Sequence, residues 1–145
     1  MNITHATTEE INEILPRVQE SLEEGSRGYY EVDQDKASRM MQDVLSQDGQ
    51  IQVVTEEGQV VGWVVYGQQD DRFSGEKVGF IYDLFLRKEY RGKGYARALM
   101  DSALRELKLQ GMTSVRLVVY AGNHARALYE KLGFTEQRTV MAKKL

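Results

Sequence analysis

Two periods alternate along the chain. In "NITHAT", Ile3 sits among polar neighbours and predicts a short first strand. From Thr7 the period lengthens. Ile11, Ile14, Leu15, Val18 and Leu22 recur at helical spacing, and Thr7 with Glu10 forms a capping-box pattern. Pro16, the only proline, is expected to kink or split this helix, because it disfavours helical angles at Leu15. "GSRGYYEV" reads as a loop. Ala37, Met40, Met41, Val44 and Leu45 predict a second helix, which Gly49 stops.

The period then falls to two. "IQVVTEEGQVVGWVVYGQ" reads as two strands about Glu57-Gly58, a hairpin turn signal. "KVGFIYDLFLRK" is a third strand, apolar on both faces and so placed at the sheet centre. "GYARALMDSALRELKLQG" is a helix whose buried stripe is Ala98, Leu99, Met100, Ala103 and Leu107, and Gly111 ends it. "TSVRLVVYA" predicts a strand, "NHARALYEKLG" a short helix and "FTEQRTVMAKKL" a last strand and tail. The order is β-α-α-β-β-β-α-β-α-β. Helices between strands imply a mixed α/β sheet, in a single domain of residues 1–145.

Composition narrows the chemistry. The formal charge is −3, so no global field favours nucleic acid. The absence of cysteine excludes disulfides, thiolate metal sites and a cysteine nucleophile. His5 and His124 stand alone, which argues against a metal site. The longest apolar run, "VVGWVVY", is too short for a bilayer, and "MNITHATTEE" lacks the regions of a signal peptide. The expectation is a reducing, cytoplasmic setting with neither nucleic acid nor membrane as partner.

Against that mildly acidic background, "RKEYRGKGYARALM" gathers Arg87, Lys88, Arg91, Lys93 and Arg97 around two glycines at the start of a helix. A helix N-terminus exposes unpaired N–H groups and a partial positive charge. Gly92 and Gly94 lack a Cβ, so an anion can approach the backbone. The physical reading is a phosphate cradle, extended enough for a pyrophosphate. The other reading is a solvated basic turn. The Gly-x4-Gly-Lys-Ser/Thr pattern is absent. A dinucleotide fingerprint fails because Arg97 stands where its third small residue is needed.

"LFLRKEYRGKGYARALM" resembles the acetyl-CoA-binding segment of the GNAT superfamily of N-acetyltransferases. Arg91, Gly94 and Ala96 match its Arg/Gln-x-x-Gly-x-Gly/Ala signature. "VRLVVYAGNHARALYEKLGF" is similar to that family's later strand–helix segment, so the resemblance runs from residue 78 to 134. It implies a GNAT-like mixed central sheet whose splayed central strands hold acetyl-CoA, with no metal. Leu84, Phe85 and Leu86 would pair with the pantetheine arm. Arg91, Gly92, Lys93, Gly94, Tyr95, Ala96 and Arg97 would hold the pyrophosphate, chiefly through backbone amides. The activity implied is transfer of the acetyl group to a primary amine by direct attack in a ternary complex.

That reaction sets three demands. With a pKa of ~10.4, roughly one amine in a thousand is neutral at pH ~7.4, so the proton needs a route. The developing oxyanion needs a donor, for which a backbone N–H near Leu86 is the candidate. The leaving thiolate needs stabilising, and the resemblance assigns that to Tyr129. The base is open between Asp83 and a water chain, or Asp83 is structural. Tyr82 stands where some relatives carry a glutamate, and strand alternation would put Tyr82 and Asp83 on opposite faces. Asn123 precedes Tyr129 by six residues where seven is commoner in the family, which leaves it as a cofactor contact or a helix N-cap.

For the acceptor, a small-molecule or peptide amine, the segment "SLEEGSRGYYEVDQD" offers Tyr29 and Tyr30 beside carboxylates, which would suit a cation; the other reading is a solvated acidic loop. "GQQDDRFSGEK" is expected to flank the site. The competing functions are a non-catalytic acyl-CoA-binding or sensor domain and a nucleotide-binding module. The resemblance also admits a homodimer.

Overall fold

Thr7 opens the first helix as its spacing predicts. Its Oγ1 accepts the Glu10 N–H at 3.2 Å, and Glu10 Oε1 accepts the Thr7 N–H at 2.9 Å. The computed structural model, which describes residues 1–145, then runs β1 (Asn2–His5), α1 (Thr8–Ser26), α2 (Gln34–Ser46), β2 (Gln50–Glu56), β3 (Gln59–Asp70), β4 (Lys77–Leu86), α3 (Tyr95–Leu109), β5 (Val115–Leu117) and α4 (Ala125–Lys131). The strands form one sheet in the order β1-β2-β3-β4-β5. All pairs are antiparallel except β4–β5, which is parallel.

The sheet separates two apolar layers. Ile14 and Val18 of α1 and Met41 of α2 pack with Trp63 and Phe85 on one face. Leu99, Met100, Ala103 and Leu107 of α3 pack with Val64, Tyr66 and Ile81 on the other. Each such side chain taken from water contributes roughly 1.5–3 kcal/mol. A buried polar group fixes α3 on its face. Gln52 donates to the Tyr66 hydroxyl and to Glu106 Oε2, both at 2.8 Å, and accepts from Ser102 Oγ at 2.5 Å.

Three expectations are corrected. Helix α1 runs through Pro16 as one element, so the split does not occur. Pro16 and Asn12 are both exposed, so the Asn12 carbonyl that a proline cannot serve faces water. Strand β5 has three ladder residues rather than nine, because the chain leaves β4 after the Ile81↔Leu117 pair. Residues 135–145 form no last strand and make no backbone hydrogen bond. A strand needs a partner edge and an apolar face. The edge on offer is this short β5, and Val140 and Met141 lie 90% and 89% exposed.

Candidate functional site

The turn after β4 holds a run of unserved amides. The Arg87 N–H closes β4 onto Val61 O at 2.8 Å, and a single 3₁₀ turn (Lys88–Tyr90) follows. Gly92 and Gly94 then take φ of 76° and 87°, the left-handed region that glycine enters without penalty. A Cβ at either would meet nothing within 4 Å, so open space lies in front of the backbone. Gly94 caps α3 and has no side chain to serve its first N–H groups. As a result the N–H groups of residues 92–97 donate to no group of the chain. The start of α3 is pinned: the Tyr95 hydroxyl donates to Glu56 Oε1 at 2.5 Å, and the N-terminal ammonium sits 3.1 Å from the same oxygen.

The side chains do not all follow the backbone. Lys93 Nζ lies 5.7 Å over the Tyr90 ring, and Arg97 Nε lies 3.8 Å from Asp101 Oδ2 on its own helix. Arg91 is engaged on the α1 side of the sheet. Its Nε donates to the Leu86 carbonyl at 2.8 Å, and its Nη2 pairs with Glu24 at 2.8 Å.

The opening between β4 and β5 continues this run. β4 pairs with β5 only at Gly79, Phe80 and Ile81, and residues 118–121 join no ladder with it. Because Arg87 turns its N–H toward β3, strand alternation sends the Phe85 groups the same way and the Leu84 and Leu86 groups toward the opening. The Arg91 contact to the Leu86 carbonyl fits that direction.

Asp83 and Tyr82 do not lie on opposite faces. Val65 pairs with Asp83 and Tyr66 with Ile81, so Tyr82 is the extra residue of a β-bulge. The bulge resets the alternation. Tyr82 packs against the α1–α2 layer, and Asp83 reaches Ser21 and Trp63 on the same side. Ser21 Oγ donates to Oδ1 at 2.7 Å and Trp63 Nε1 to Oδ2 at 2.8 Å. Burial raises the Asp83 pKa, and these donors oppose that rise. Each carboxylate oxygen therefore has a fixed partner and retains a lone pair.

Tyr129 lies close enough to sense that carboxylate. Burial first, and the Asp83 charge second, push its hydroxyl up to about 12. Against a thiol at ~8.5, delivering the Tyr129 proton to a thiolate is uphill by roughly 5 kcal/mol. At that value the Tyr129 hydroxyl keeps its proton at neutral pH.

The mouth of the opening carries aromatic rings. Tyr120 stacks on Tyr29 at 5.6 Å and meets Tyr30 edge-on at 5.6 Å. Asn123 is held within the chain. Its Oδ1 accepts the Ala125 N–H at 2.9 Å and its Nδ2 donates to the Gly25 carbonyl at 3.1 Å. One contact lies at the start of α4 and the other reaches α1, while the N-cap position of α4 is His124 rather than Asn123. The acidic segment is also partly neutralised, with Glu24 on Arg91 and Glu20 4.0 Å from Arg17. The loop after β3 does not flank the site. It lies at the far end of β4, where Asp71 pairs with Arg116 at 2.5 Å.

Ser21, Trp63 and Tyr120 were not singled out from sequence, and Glu24 was read there only among the carboxylates beside Tyr29 and Tyr30. Ser21 carried a signal: it is a polar residue on the apolar stripe of α1, following Ile14 and Val18. Trp63, the one tryptophan, needs a partner for its N–H when buried. No helix is long and apolar enough to cross a membrane.

Comparison with known proteins bears on the family and the fold. The profile of the acetyltransferase (GNAT) family matches residues 10–134. The N-acetyltransferase YycN of Bacillus subtilis (strain 168) is 42% identical over 93 residues, 61% of this chain and 56% of that protein. The mycothiol acetyltransferase of Amycolatopsis mediterranei (strain U-32) is 39% identical over 88 residues, 58% of this chain and 29% of that protein. This chain thus spans about half the length, or less, of these relatives. Among solved structures, an acetyl transferase from Pyrococcus furiosus superposes with a TM-score of 0.83 at 24% identity, covering 99% of both chains. An acetyltransferase from Clostridium acetobutylicum, solved with acetyl-CoA, superposes with 0.77 at 19% identity over 99% of this chain and 95% of that one. These structural likenesses show the fold.

Proposed function

The chain belongs to the acetyltransferase (GNAT) family, and from that premise we propose that it transfers an acetyl group from acetyl-CoA to a primary amine by direct attack in a ternary complex. One observation carries the reading: the six unserved amides of residues 92–97 continue directly from the open edge of β4. Acetyl-CoA needs this combination, an anion site joined to a backbone edge for an amide-bearing arm. The glycine backbone leaves the space, and the residues present fit the group. Bound there, acetyl-CoA supplies the activated acyl group.

The chain's own groups then divide the work. The amides of residues 92–97 hold the phosphates. Leu84 offers backbone groups to the pantetheine arm, the Leu86 carbonyl is held by Arg91, and the Leu86 N–H is the donor for charge on the acyl oxygen. Tyr129 donates a hydrogen bond to the departing sulfur and remains protonated. Asp83, with Ser21 and Trp63 fixed on its two oxygens, orients that corner of the site. It takes the amine proton either directly or through a water chain. Tyr29 and Tyr30, with Tyr120 against them, form the acceptor wall. We read the setting as cytoplasmic, on a chain without cysteine.

Calorimetric titration with acetyl-CoA, followed by thiol release across a panel of amines, tests the reading. Saturable binding with thiol release on one amine class is the expected result. Binding with no release on any amine would favour an acyl-CoA sensor. No binding by the folded protein would remove the cradle argument.

A further inference from the structure

Arg91 begins the glycine-bearing turn, yet its guanidinium is committed elsewhere. Nε donates to the Leu86 carbonyl at 2.8 Å, Nη2 meets Glu24 Oε1 at 2.8 Å, and Cζ lies 5.7 Å over the Phe85 ring. One planar group thus joins the end of β4, its last inward ring and the last turn of α1. Both residues are exposed, so the ion pair is partly screened, and it is one of three contacts the guanidinium makes at once.

The same stretch of α1 is tied to the site at other points. Ser21 donates to Asp83 on β4 at 2.7 Å. The Gly25 carbonyl accepts from Asn123 at 3.1 Å, across the opening. Tyr29 and Tyr30, just beyond the helix, pack on Tyr120. The end of α1 therefore spans both walls of the opening. Arg91 is its link to the turn that carries the amides of residues 92–97.

We propose that Arg91 is a positioning residue that, through Glu24, couples the cofactor turn to the acceptor wall. This rests on the acetyl-CoA reading above and deepens it. Ordering of residues 92–97 around phosphate fixes the adjacent Arg91 backbone. The guanidinium transmits that order to Glu24, and with it to the segment bearing Ser21, Tyr29 and Tyr30. By linkage, whatever amine binds against that wall favours acetyl-CoA in turn. The Arg91 side chain is then a link between elements rather than a phosphate ligand. Serving phosphate would require it to leave the Leu86 carbonyl, Glu24 and the Phe85 ring together.

Hydrogen exchange of the full chain, with acetyl-CoA as the probe, tests the coupling without an acceptor. In the wild type, acetyl-CoA should slow exchange both at residues 92–98 and at residues 21–30. The second effect should be about three- to fivefold, the scale of a partly screened ion pair. In Glu24→Gln and in Arg91→Gln the protection at 92–98 should persist and that at 21–30 should vanish. The double variant should lose no more than either single one. Glu24 is on the helix surface, so its variant keeps the proposal testable if Arg91→Gln unfolds. Protection at residues 21–30 that survives Glu24→Gln overturns the coupling. So does a tenfold loss of acetyl-CoA affinity in Arg91→Gln with none in Glu24→Gln, which would make Arg91 a phosphate ligand. Absence of wild-type protection at 92–98 would overturn the acetyl-CoA reading itself, and the coupling with it.

Discussion

At the scale of single residues, Asp83 and Tyr129 act as a pair with opposite constraints. Burial raises the Asp83 pKa while the Ser21 and Trp63 donors oppose the rise, and burial first, then the Asp83 charge, pushes the Tyr129 hydroxyl up. A phenol held at about 12 gives no alkaline limb of its own below pH ~10. Tyr129→Phe removes the donor and leaves the ring packed near Phe134. The expected outcome is turnover lowered about a hundredfold, the usual effect of losing one donor to developing charge, with acetyl-CoA affinity nearly unchanged. Steady-state kinetics beside calorimetry would check it. Unchanged turnover would remove Tyr129 from the sulfur.

At the scale of elements, the decisive unit is the β4–turn–α3 passage. Gly94 takes φ of 87° and faces open space, so a side chain there is strained without clashing inside the fold. Gly94→Val should therefore fold, with a lower melting temperature from a β-branched residue at positive φ. It should also lose acetyl-CoA affinity by roughly tenfold for each phosphate contact displaced. Retained affinity in the folded variant would show that the amides of residues 92–97 do not hold the cofactor. The bulge at Tyr82 matters at the same scale. One unpaired residue in β4 turns Asp83 toward Ser21 and Trp63, beside the α1 layer.

At the scale of the molecule, the Asp71–Arg116 pair and the β4–turn–α3 passage sit at opposite ends of β4. The loop after β3 is pinned to β5 through Asp71, whose carboxylate accepts N–H groups of Phe73 at 2.7 Å and Ser74 at 2.9 Å. The Ser74 and Phe73 amides, then Arg116, hold its carboxyl well below the usual carboxylate range. A folded-state pKa lowered from ~3.9 stabilises the fold above that value, and the stabilisation is lost as pH falls toward the folded-state pKa. Asp71→Asn should then lower the urea midpoint at pH 7, and the deficit should shrink as pH drops below ~4. Acetyl-CoA affinity should not change, because the open edge of β4 is at the other end. A deficit that is constant with pH would remove the charge from the explanation.

What the sequence determined is what depends on near neighbours along the chain. The capping box at Thr7, the Glu57-Gly58 hairpin, the stripe of α3 and the glycine-bearing turn are local patterns, and each stands where it was read. The turn's geometry was legible because absent Cβ atoms and a helix start are written in the order of residues. Only the tertiary structure decided the rest. Asp83 and Ser21 are sixty-two positions apart, and no periodicity relates them. Tyr120 meets Tyr29 because two distant segments close one mouth. The bulge at Tyr82 depends on register with β3, which alternation along one strand does not contain. The last strand failed to form because pairing requires an edge, and an edge is a property of the assembled sheet.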